Sequence, residues 1–358
     1  MSTLQLNASV STDLAKRFPE NPIMHPQDIR PSGPDVMIEC LLNPGVFSFE
    51  GRTWLLLRVA ERPKQTPGKI SFPVLEDGKV HVMEFDKSDP RLDDSDPRVI
   101  SFDGEDYLTT LSHLRLVSSS DGVNFREEPN FQLLTGVGPQ EAYGIEDCRV
   151  TQIGEEYFLT YTAASSNGVG VGLRSTTDWR SVKNHGMIFT AHNKDCAIFD
   201  EKINGIYYAL HRPSSKEIGG NYIWTAESPD MLHWGNHRCI ARTRPGMWDS
   251  QRIGAGAAPI HNSAGWLEIY HGADENNRYC LGALLLDLNE PWKVLARSKK
   301  PIMEPLADYE KTGFFGNVVF TNGHIVDGDR ITMYYGASDS VICGARFSIS
   351  EILESLGV

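Results

Sequence analysis

A chain of 358 residues that is 40% hydrophobic and 23% charged can bury a full hydrophobic core, which excludes disorder and favours one large or two ordinary globular domains. Its formal net charge of -13 argues against a nucleic-acid partner, because binding to a phosphate backbone requires a basic surface. No apolar run approaches the roughly 20 residues needed to span a bilayer, and the N-terminal stretch lacks the hydrophobic core of a secretory signal. We therefore expect a cytoplasmic protein that binds neither nucleic acid nor membranes.

Cysteines are scattered singly along the chain. They lack the close pairs of a zinc site and the density of a disulfide framework. We therefore expect reduced, mostly buried thiols and no metal site. The cysteines are Cys40, Cys148, Cys196, Cys239, Cys280 and Cys343.

One unit of two β-rich runs around a turn recurs six times along the sequence. Each unit starts at a polar residue or a glycine and ends in an aromatic-rich strand, and turns such as EG, DG, NG and AG are hairpin signals. The units start at Asn43, Asp96, Glu146, Lys194, Gly254 and Gly316. A third strand follows most of them, as in VGVGLRSTTDW, NYIWTAESPDMLHW, RYCLGALLLDL and ICGARFSIS.

Antiparallel strands repeated roughly every 40 to 60 residues are typical of propeller blades. The convincing helices are terminal or connecting, such as SISEILESL, where Ser348 is a suitable cap and Glu351 follows three residues on. We therefore predict an all-β propeller with short terminal helices. Residues 1–358 are expected to form a single catalytic domain, with residues 1–40 as an N-terminal extension that packs on the propeller.

Polar residues that open and close the units should converge, because a propeller brings the ends of its inner strands to a central funnel. The resulting candidates for one pocket are Asn43, Arg58, Asp96, Asp147, Lys194, Arg212, His271 and Asp339. Aromatic residues at unit ends, among them Tyr270, could stack on sugar faces, although propeller cores also use aromatics between blades.

Asp147 is a candidate acid. Cleavage of a glycosidic bond requires a proton for the leaving oxygen, which a carboxylic acid supplies. Asp147 lies beside Glu146 and two residues before Arg149, so that a like charge raises and a cation lowers its pKa. Spacing alone does not exclude a structural role, in which Asp147 only forms hydrogen bonds from the start of its unit to a neighbouring backbone. Asp96 in DSDPR could have the same structural role.

Three basic residues stand at matching places in successive units: Lys194 at a unit start, Arg212 in ALHRP and His271 in IYHG. If they converge, they form a compact anion site, since arginine binds phosphate through two hydrogen bonds and lysine adds a positive point charge. The alternative is three unrelated ion pairs with nearby carboxylates.

These residues resemble glycoside hydrolase family 130, the β-mannoside phosphorylases and related β-mannosidases. The resemblance runs through LLNPGVF, GIEDCRV, KDCAIFDEKINGIYYALHRP, RIGAGAAPI, GWLEIYHGAD and YYGASDS. It implies a five-bladed propeller and, as an expectation, a homodimer. By this likeness Asp147, at the family's E-D-P-R position, is the general acid, and its proton travels through a hydroxyl of the mannosyl unit. Lys194, Arg212 and His271 are then the phosphate ligands.

Two features depart from the family pattern. Cys148 replaces the proline that usually follows the acid, and six units are counted where the family has five blades.

We predict that the remaining pocket candidates bind the sugar. They are Asn43, Arg58, Asp96, Asp339 and Tyr270.

The resemblance predicts an inverting phosphorylase that uses inorganic phosphate as co-substrate, without metal or organic cofactor, and releases α-mannose 1-phosphate. The segments LDDSDPRVISFDGEDYL and RVAERPK favour the β-1,2-mannobiose phosphorylases of the family. Alternatives are a β-1,4-mannosyl-glucose or mannooligosaccharide phosphorylase, a β-mannosidase, and a glycan-binding propeller without activity. In the hydrolases, glutamates replace basic phosphate ligands, whereas Lys, Arg and His stand here.

Overall fold

The computed structural model describes residues 13–76, 79–131, 133–214 and 218–358, which are almost entirely β-structure. In chain order the strands are β1 (Lys16–Arg17), β2 (Val36–Phe49), β3 (Arg52–Pro63), β4 (Lys69–Glu76), β5 (Lys79–Asp86), β6 (Leu92–Asp96), β7 (Val99–Phe102), β8 (Glu105–Leu108), β9 (Leu111–Ser119), β10 (Arg126–Glu127), β11 (Ile145–Ile153), β12 (Glu156–Ser165), β13 (Gly168–Thr176), β14 (Lys183–Phe189), β15 (Asn193–Ile198), β16 (Tyr207–Pro213), β17 (Ile223–Ser228), β18 (Gly235–Ala241), β19 (Arg252–Gly254), β20 (Ile260–Asn262), β21 (Gly265–Ala273), β22 (Tyr279–Leu286), β23 (Val294–Arg297), β24 (Val319–Asp327), β25 (Arg330–Ala337) and β26 (Val341–Ser348). The helices are α1 (Asp308–Lys311) and α2 (Ile349–Leu356), with 3-10 turns at Pro26–Asp28 and Pro139–Glu141.

The described strands form five larger antiparallel sheets, which we number I to V in chain order. Sheet I has the order β2-β3-β9-β10, sheet II β11-β12-β13-β14 and sheet III β15-β16-β17-β18. Sheet IV has the order β19-β21-β22-β23, with β20 also paired to β21, and sheet V has the order β24-β25-β26-β1. Two smaller sheets, β4-β5 and β6-β7-β8, separate β3 from β9 in the chain.

Each larger sheet shares a hydrophobic cluster with the next. The contacting pairs of sheets are I–II through Trp54 and Tyr161, II–III through Leu173 and Ala209, III–IV through Phe199 and Trp266, IV–V through Ile269 and Met333, and V–I through Tyr334 and Leu57. All of these side chains are buried. Because both faces of a sheet are covered, strands such as β21, GWLEIYHGA, are buried along their whole length.

The predicted hairpin turns have the backbone that their sequences require. Glu50 and Gly51, between β2 and β3, have φ of 49° and 70°. Two-residue turns with positive φ at both positions match the twist of the flanking strands, and glycine adopts this conformation without strain. Asp103–Gly104 and Asn204–Gly205 repeat the pattern, with φ of 53° and 87° and of 52° and 82°.

The prediction of an all-β fold with a short C-terminal helix is confirmed. Helix α2 begins after Ser348, whose hydroxyl accepts a hydrogen bond from the Glu351 amide at 3.1 Å, and ends at Gly357 in the left-handed region. Within the described residues, no helix is long and apolar enough to cross a membrane.

The six sequence units do not map onto six equal sheets. The unit that starts at Asp96 supplies β7 and β8 of a small three-stranded sheet, and the chain then returns to sheet I through β9.

The N-terminal extension, predicted as residues 1–40, has different limits in the structure. Residues 1–12 lie outside the described residues, β1 pairs with β26 of sheet V, and residues from Val36 onward already belong to sheet I.

Candidate active site

A cavity of about 260 Å³ lies where the first strands of the larger sheets approach one another. Its polar lining consists of Asn43, Arg58, Arg98, Thr110, Glu146, Asp147, Lys194, Asp195, Arg212, Arg252, His271, Tyr279 and Asp339. Phe314, Phe315 and Phe320 form much of its apolar wall. The cavity therefore combines carboxylates, cations and aromatic rings, which are the groups that bind sugars and anions.

Two predicted site residues, Asp96 and Tyr270, do not line this cavity, whereas the others do. Tyr270 neighbours His271 on β21, and successive residues of a strand point to opposite faces. Its hydroxyl donates to Asp249 at 2.9 Å within the core between sheets III and IV, so this position does not support a sugar contact. The Asp96 carboxylate instead pairs with Arg98, which does line the cavity.

Irregularities in the first strands direct three polar side chains into the cavity. The pairing register shifts at Leu42–Gly45 in β2, at Glu146–Arg149 in β11 and at Lys194–Ala197 in β15. A β-bulge bends its strand and redirects a side chain. Asn43, Asp147 and Asp195 lie in these bulges with φ of 22°, 49° and 53°, and Asn and Asp tolerate positive φ better than most residues.

Asp147 is buried among hydrogen-bond donors and cations. Its Oδ1 accepts from Asn43 Nδ2 at 3.1 Å and from an Arg58 terminal nitrogen at 3.0 Å, while the second terminal nitrogen of Arg58 reaches Glu146 at 2.8 Å. Burial raises the pKa of Asp147, but the charges of Arg58, Arg149 and Lys194 and the Asn43 bond outweigh burial and hold this pKa below its ordinary value. Asp147 is therefore ionised in the ligand-free protein.

Asp195 holds Arg149, Arg212 and His271 together at one side of the cavity. Its Oδ2 lies 3.0 Å from Arg212 and 3.3 Å from His271 Nε2, and its Oδ1 accepts from Arg149 at 3.2 Å. Although burial raises the pKa of Asp195, the charges of Arg212, His271 and Arg149 and the His271 hydrogen bond bring it well below its ordinary value. Sequence reasoning missed this residue. KDCA repeats the D-C pair of EDCR at the same place in the next unit, which could have identified it.

Lys194 and His271 are less basic than usual. Burial and the charge of Arg212 lower the pKa of Lys194, and its ammonium makes no hydrogen bond or ion pair with the described residues. Burial lowers the pKa of His271 to about 4 in spite of Asp195, so its ring is neutral at pH 7. The cluster thus presents a fixed guanidinium, a neutral imidazole and an ammonium without a partner.

Asp339 is a carboxyl group of the cavity whose pKa is raised. It lies between β25 and β26 with φ of 48°. Burial raises its pKa to about 6, against the lowering effect of Arg58 and with support from the negative charge of Asp147. The two carboxyl groups, both of which interact with Arg58, therefore have pKa values shifted in opposite directions, lowered for Asp147 and raised for Asp339.

A further carboxyl group, that of Glu268, is fully buried and does not line the cavity. Its Oε1 accepts from the Gly256 amide at 2.7 Å, whereas Oε2 has no partner among the described residues. The carbonyl of Gly256 accepts from Arg149 Nε at 3.0 Å, which links Glu268 to the Asp195 cluster. Burial raises the pKa of Glu268 to about 8.

This burial predicts how stability depends on pH. In the unfolded chain Glu268 loses its proton above its ordinary pKa of 4.5, whereas in the native protein it keeps this proton up to about pH 8. The free energy of unfolding therefore falls as the pH rises from the unfolded pKa to about 8. Glu268→Gln keeps the acceptor for Gly256 and removes the titration. Between pH 5 and pH 8 we expect the wild type to lose roughly 2–4 kcal/mol relative to this variant in urea unfolding. Parallel pH curves for the two proteins would contradict a buried, protonated Glu268.

Within the described residues, no group of three or more His, Cys, Asp or Glu side chains is arranged to hold a metal ion. The all-β structure and the cavity lining, in which carboxylates and basic residues lie together, are those of a carbohydrate-active protein. The family model of glycoside hydrolase family 130, described as beta-1,4-mannooligosaccharide phosphorylase, matches residues 109–357. The chain belongs to this family.

Named relatives and a solved structure are similar over much of the chain. The chain is 46% identical over 351 residues to the beta-1,2-mannobiose phosphorylase of Listeria innocua, covering 96% of this chain and 98% of the relative. It is 40% identical over 258 residues to a 1,2-beta-oligomannan phosphorylase of Thermoanaerobacter sp., covering 69% and 82%. A structure of the Listeria innocua enzyme in complex with beta-1,2-mannobiose aligns with a TM-score of 0.92 and 44% identity over 96% of this chain and 99% of that chain.

Proposed function

We propose that this protein is an inverting β-mannoside phosphorylase that cleaves β-1,2-mannobiose with inorganic phosphate and releases α-mannose 1-phosphate and mannose. The observation that carries the proposal is the presence of Asp147 and of the cluster Lys194, Arg212 and His271 in one cavity. The similarity to the enzyme named beta-1,2-mannobiose phosphorylase over nearly the whole chain supports the same reaction and linkage.

Asp147 is the general acid in this proposal. Its Oδ1 is occupied by Asn43 and Arg58, whereas Oδ2 makes no hydrogen bond with the described residues and is free to meet a sugar hydroxyl. The surrounding cations keep the ligand-free carboxyl ionised, but a bound phosphate adds negative charge beside Lys194 and so raises the pKa of Asp147. The acid therefore acquires its proton when the phosphate is bound. Asn43, Arg58 and Asp339 hold the mannosyl unit.

Lys194, Arg212 and His271 bind the phosphate. Burial of an ammonium group without an ion-pair partner costs free energy, and a bound anion offsets this cost. Arg212 is oriented by Asp195 at 3.0 Å and offers its remaining N–H groups. The single N–H of neutral His271 faces Asp195 at 3.3 Å, so His271 donates to the phosphate only after its Nδ1, which has no partner among the described residues, takes up a proton. Phosphate held there attacks the anomeric carbon from the face opposite the leaving sugar.

The same residues disfavour hydrolysis. A hydrolase needs a carboxylate that accepts a proton from water, and the cations around Asp195 keep its pKa too low for this role. Lys, Arg and His stand at the positions where hydrolases of the family carry glutamates.

We also propose that sheets I to V are the five blades of a β-propeller. The clusters that join sheet I to II and onward to V, and sheet V back to I, support a closed ring with the cavity at its centre. Strand β1, from near the N-terminus, forms the outer edge of sheet V beside strand β26, from near the C-terminus, and so ties the ring together. The homodimer and the cytoplasmic location stay predictions.

Product analysis tests the proposed reaction. The purified protein is incubated with β-1,2- and β-1,4-linked mannobiose and with β-1,4-mannosyl-glucose, each with and without phosphate. We expect mannose 1-phosphate from the β-1,2 substrate only when phosphate is present. Free mannose without phosphate would establish a hydrolase, and turnover of the β-1,4 substrates alone would correct the linkage.

Loss of a phosphate ligand should change the phosphate requirement selectively. For Lys194→Ala we expect KM for phosphate to rise about 10- to 100-fold, as for loss of one charge-assisted contact, while KM for mannobiose changes about twofold. Lys202→Ala is the control, because Lys202 lies on the surface of sheet III over the Tyr207 ring. Equal effects on both KM values would place Lys194 outside the phosphate site.

A further inference from the structure

One wall of the cavity comes from a segment outside the matched family model. Residues 64–110 separate β3 from β9 and form the two small sheets, whereas the family model begins at residue 109. From this segment Arg98, Val99 and Leu108 line the cavity. We call residues 64–110, which separate β3 from β9 of sheet I, the insertion. The insertion thus supplies part of the cavity wall and, like Asn43 and Arg58, lies outside or at the very start of the match to the family model.

Arg98 is held rigidly in this wall. The Asp96 carboxylate accepts from Arg98 Nε at 3.0 Å, from a terminal nitrogen at 2.9 Å and from the Arg98 amide at 2.9 Å. Its guanidinium lies 4.2 Å above the ring of Phe315, which enters from the segment before β24. The Thr109 amide donates to the Arg98 carbonyl at 3.1 Å. Arg98 thus presents fixed N–H donors beside an aromatic face, a combination suited to a sugar ring.

Arg98 is more exposed than Arg58 and Arg212, which line the same cavity. Its side chain is 39% exposed, compared with 15% for Arg58 and 9% for Arg212. The mannosyl unit that is cleaved must reach Asp147 and the phosphate cluster at the buried end. The leaving sugar must then lie toward the more exposed part of the cavity lining, to which Arg98 belongs.

We propose that Arg98, positioned by Asp96 and stacked on Phe315, binds the leaving mannose and makes the inserted sheets a determinant of acceptor specificity. This inference rests on the proposed phosphorylase activity. The guanidinium donates to hydroxyls of the leaving sugar, and Phe315 fixes the plane of the guanidinium. Asp96 is a positioning residue that acts through Arg98.

The chain contains its own control for this arrangement. The sequence D-P-R occurs twice in the insertion, at Asp89–Arg91 and at Asp96–Arg98. Arg91 is held by Asp89 in the same way, with Nε at 3.0 Å and a terminal nitrogen at 2.8 Å from the carboxylate, and it stacks on Phe102 at 4.6 Å. Arg91 does not line the cavity. The two arginines differ in location and share their local structure.

The test compares Arg98→Ala with Arg91→Ala in the direction of synthesis, from α-mannose 1-phosphate and mannose. For Arg98→Ala we expect KM for mannose to rise about tenfold or more, as for loss of a charged hydrogen-bond donor, while KM for α-mannose 1-phosphate stays within about twofold. Arg91→Ala should leave both values unchanged. Asp96→Asn should raise KM for mannose by less than Arg98→Ala, with kcat nearly constant, because the guanidinium remains but is less fixed.

The outcomes separate this inference from the proposed function. A wild type that neither synthesises nor phosphorolyses mannosides overturns both. An active wild type whose Arg98→Ala variant keeps KM for mannose overturns the inference alone. A rise in KM for α-mannose 1-phosphate or phosphate that matches the rise for mannose places Arg98 at the buried end, and equal effects of Arg91→Ala show a structural role. Thermal unfolding of both variants checks that each is folded.

Discussion

Asp147→Asn is expected to lower kcat for phosphorolysis of β-1,2-mannobiose by about 10²- to 10⁴-fold, the usual contribution of a general acid. The amide still accepts hydrogen bonds at Oδ1 from Asn43 and Arg58 but has no proton to give to the leaving sugar. Arg58 keeps its ion pair with Glu146 at 2.8 Å, so the site should remain assembled. The measurement is the initial rate of mannose 1-phosphate release at saturating phosphate.

A substrate with a better leaving group distinguishes proton donation from binding. Dinitrophenyl β-mannoside needs little protonation of its leaving oxygen, so the Asn variant should lose far less activity with it than with mannobiose. Equal losses with both substrates would assign Asp147 to binding, and retention of most activity with mannobiose would remove it as the acid. The same variant should also be less stable than the wild type near neutral pH, because the lowered pKa of Asp147 stabilises the fold above its unfolded pKa.

Asp195→Asn is expected to weaken both the fold and the phosphate site. The substitution removes the negative charge between Arg149, Arg212 and His271, and breaking a buried ion pair costs about 3–5 kcal/mol. Since the pKa of Asp195 lies well below its ordinary value, the stability that Asp195 provides is present above its unfolded pKa and is lost as the pH falls through the lowered value. Urea unfolding at pH 7 measures the loss.

Asp249→Asn is a matched control for the loss of a buried charge. Asp249 is also fully buried and pairs with two arginines, Arg244 at 2.7 Å and Arg297 at 2.6 Å, but it does not line the cavity. Both variants should lose comparable stability, whereas only Asp195→Asn should raise KM for phosphate, because only Asp195 orients Arg212. Identical phosphate KM values in the two variants would show that Asp195 has a purely structural role.

Local features of this fold were predictable from sequence because neighbouring residues determine them. The turns at Glu50–Gly51, Asp103–Gly104 and Asn204–Gly205 and the cap at Ser348 follow from backbone preferences of a few residues. The position of residues at unit starts and strand ends also predicted that Asp147, Lys194, Arg212 and His271 belong to one pocket, and all four line one cavity.

The β-strands, their turns and the chemical groups at the strand ends follow from the order of the amino acids, since these features depend on short-range pattern. Which face each side chain takes and which sheets meet depends instead on tertiary packing. Bulges in β11 and β15 direct Asp147 and Asp195 into the cavity, whereas regular alternation in β21 directs Tyr270 into the core beside His271. Arg98 reaches the same cavity from a separate small sheet. Contacts between distant segments depend on how sheets pack, and no local pattern encodes that packing.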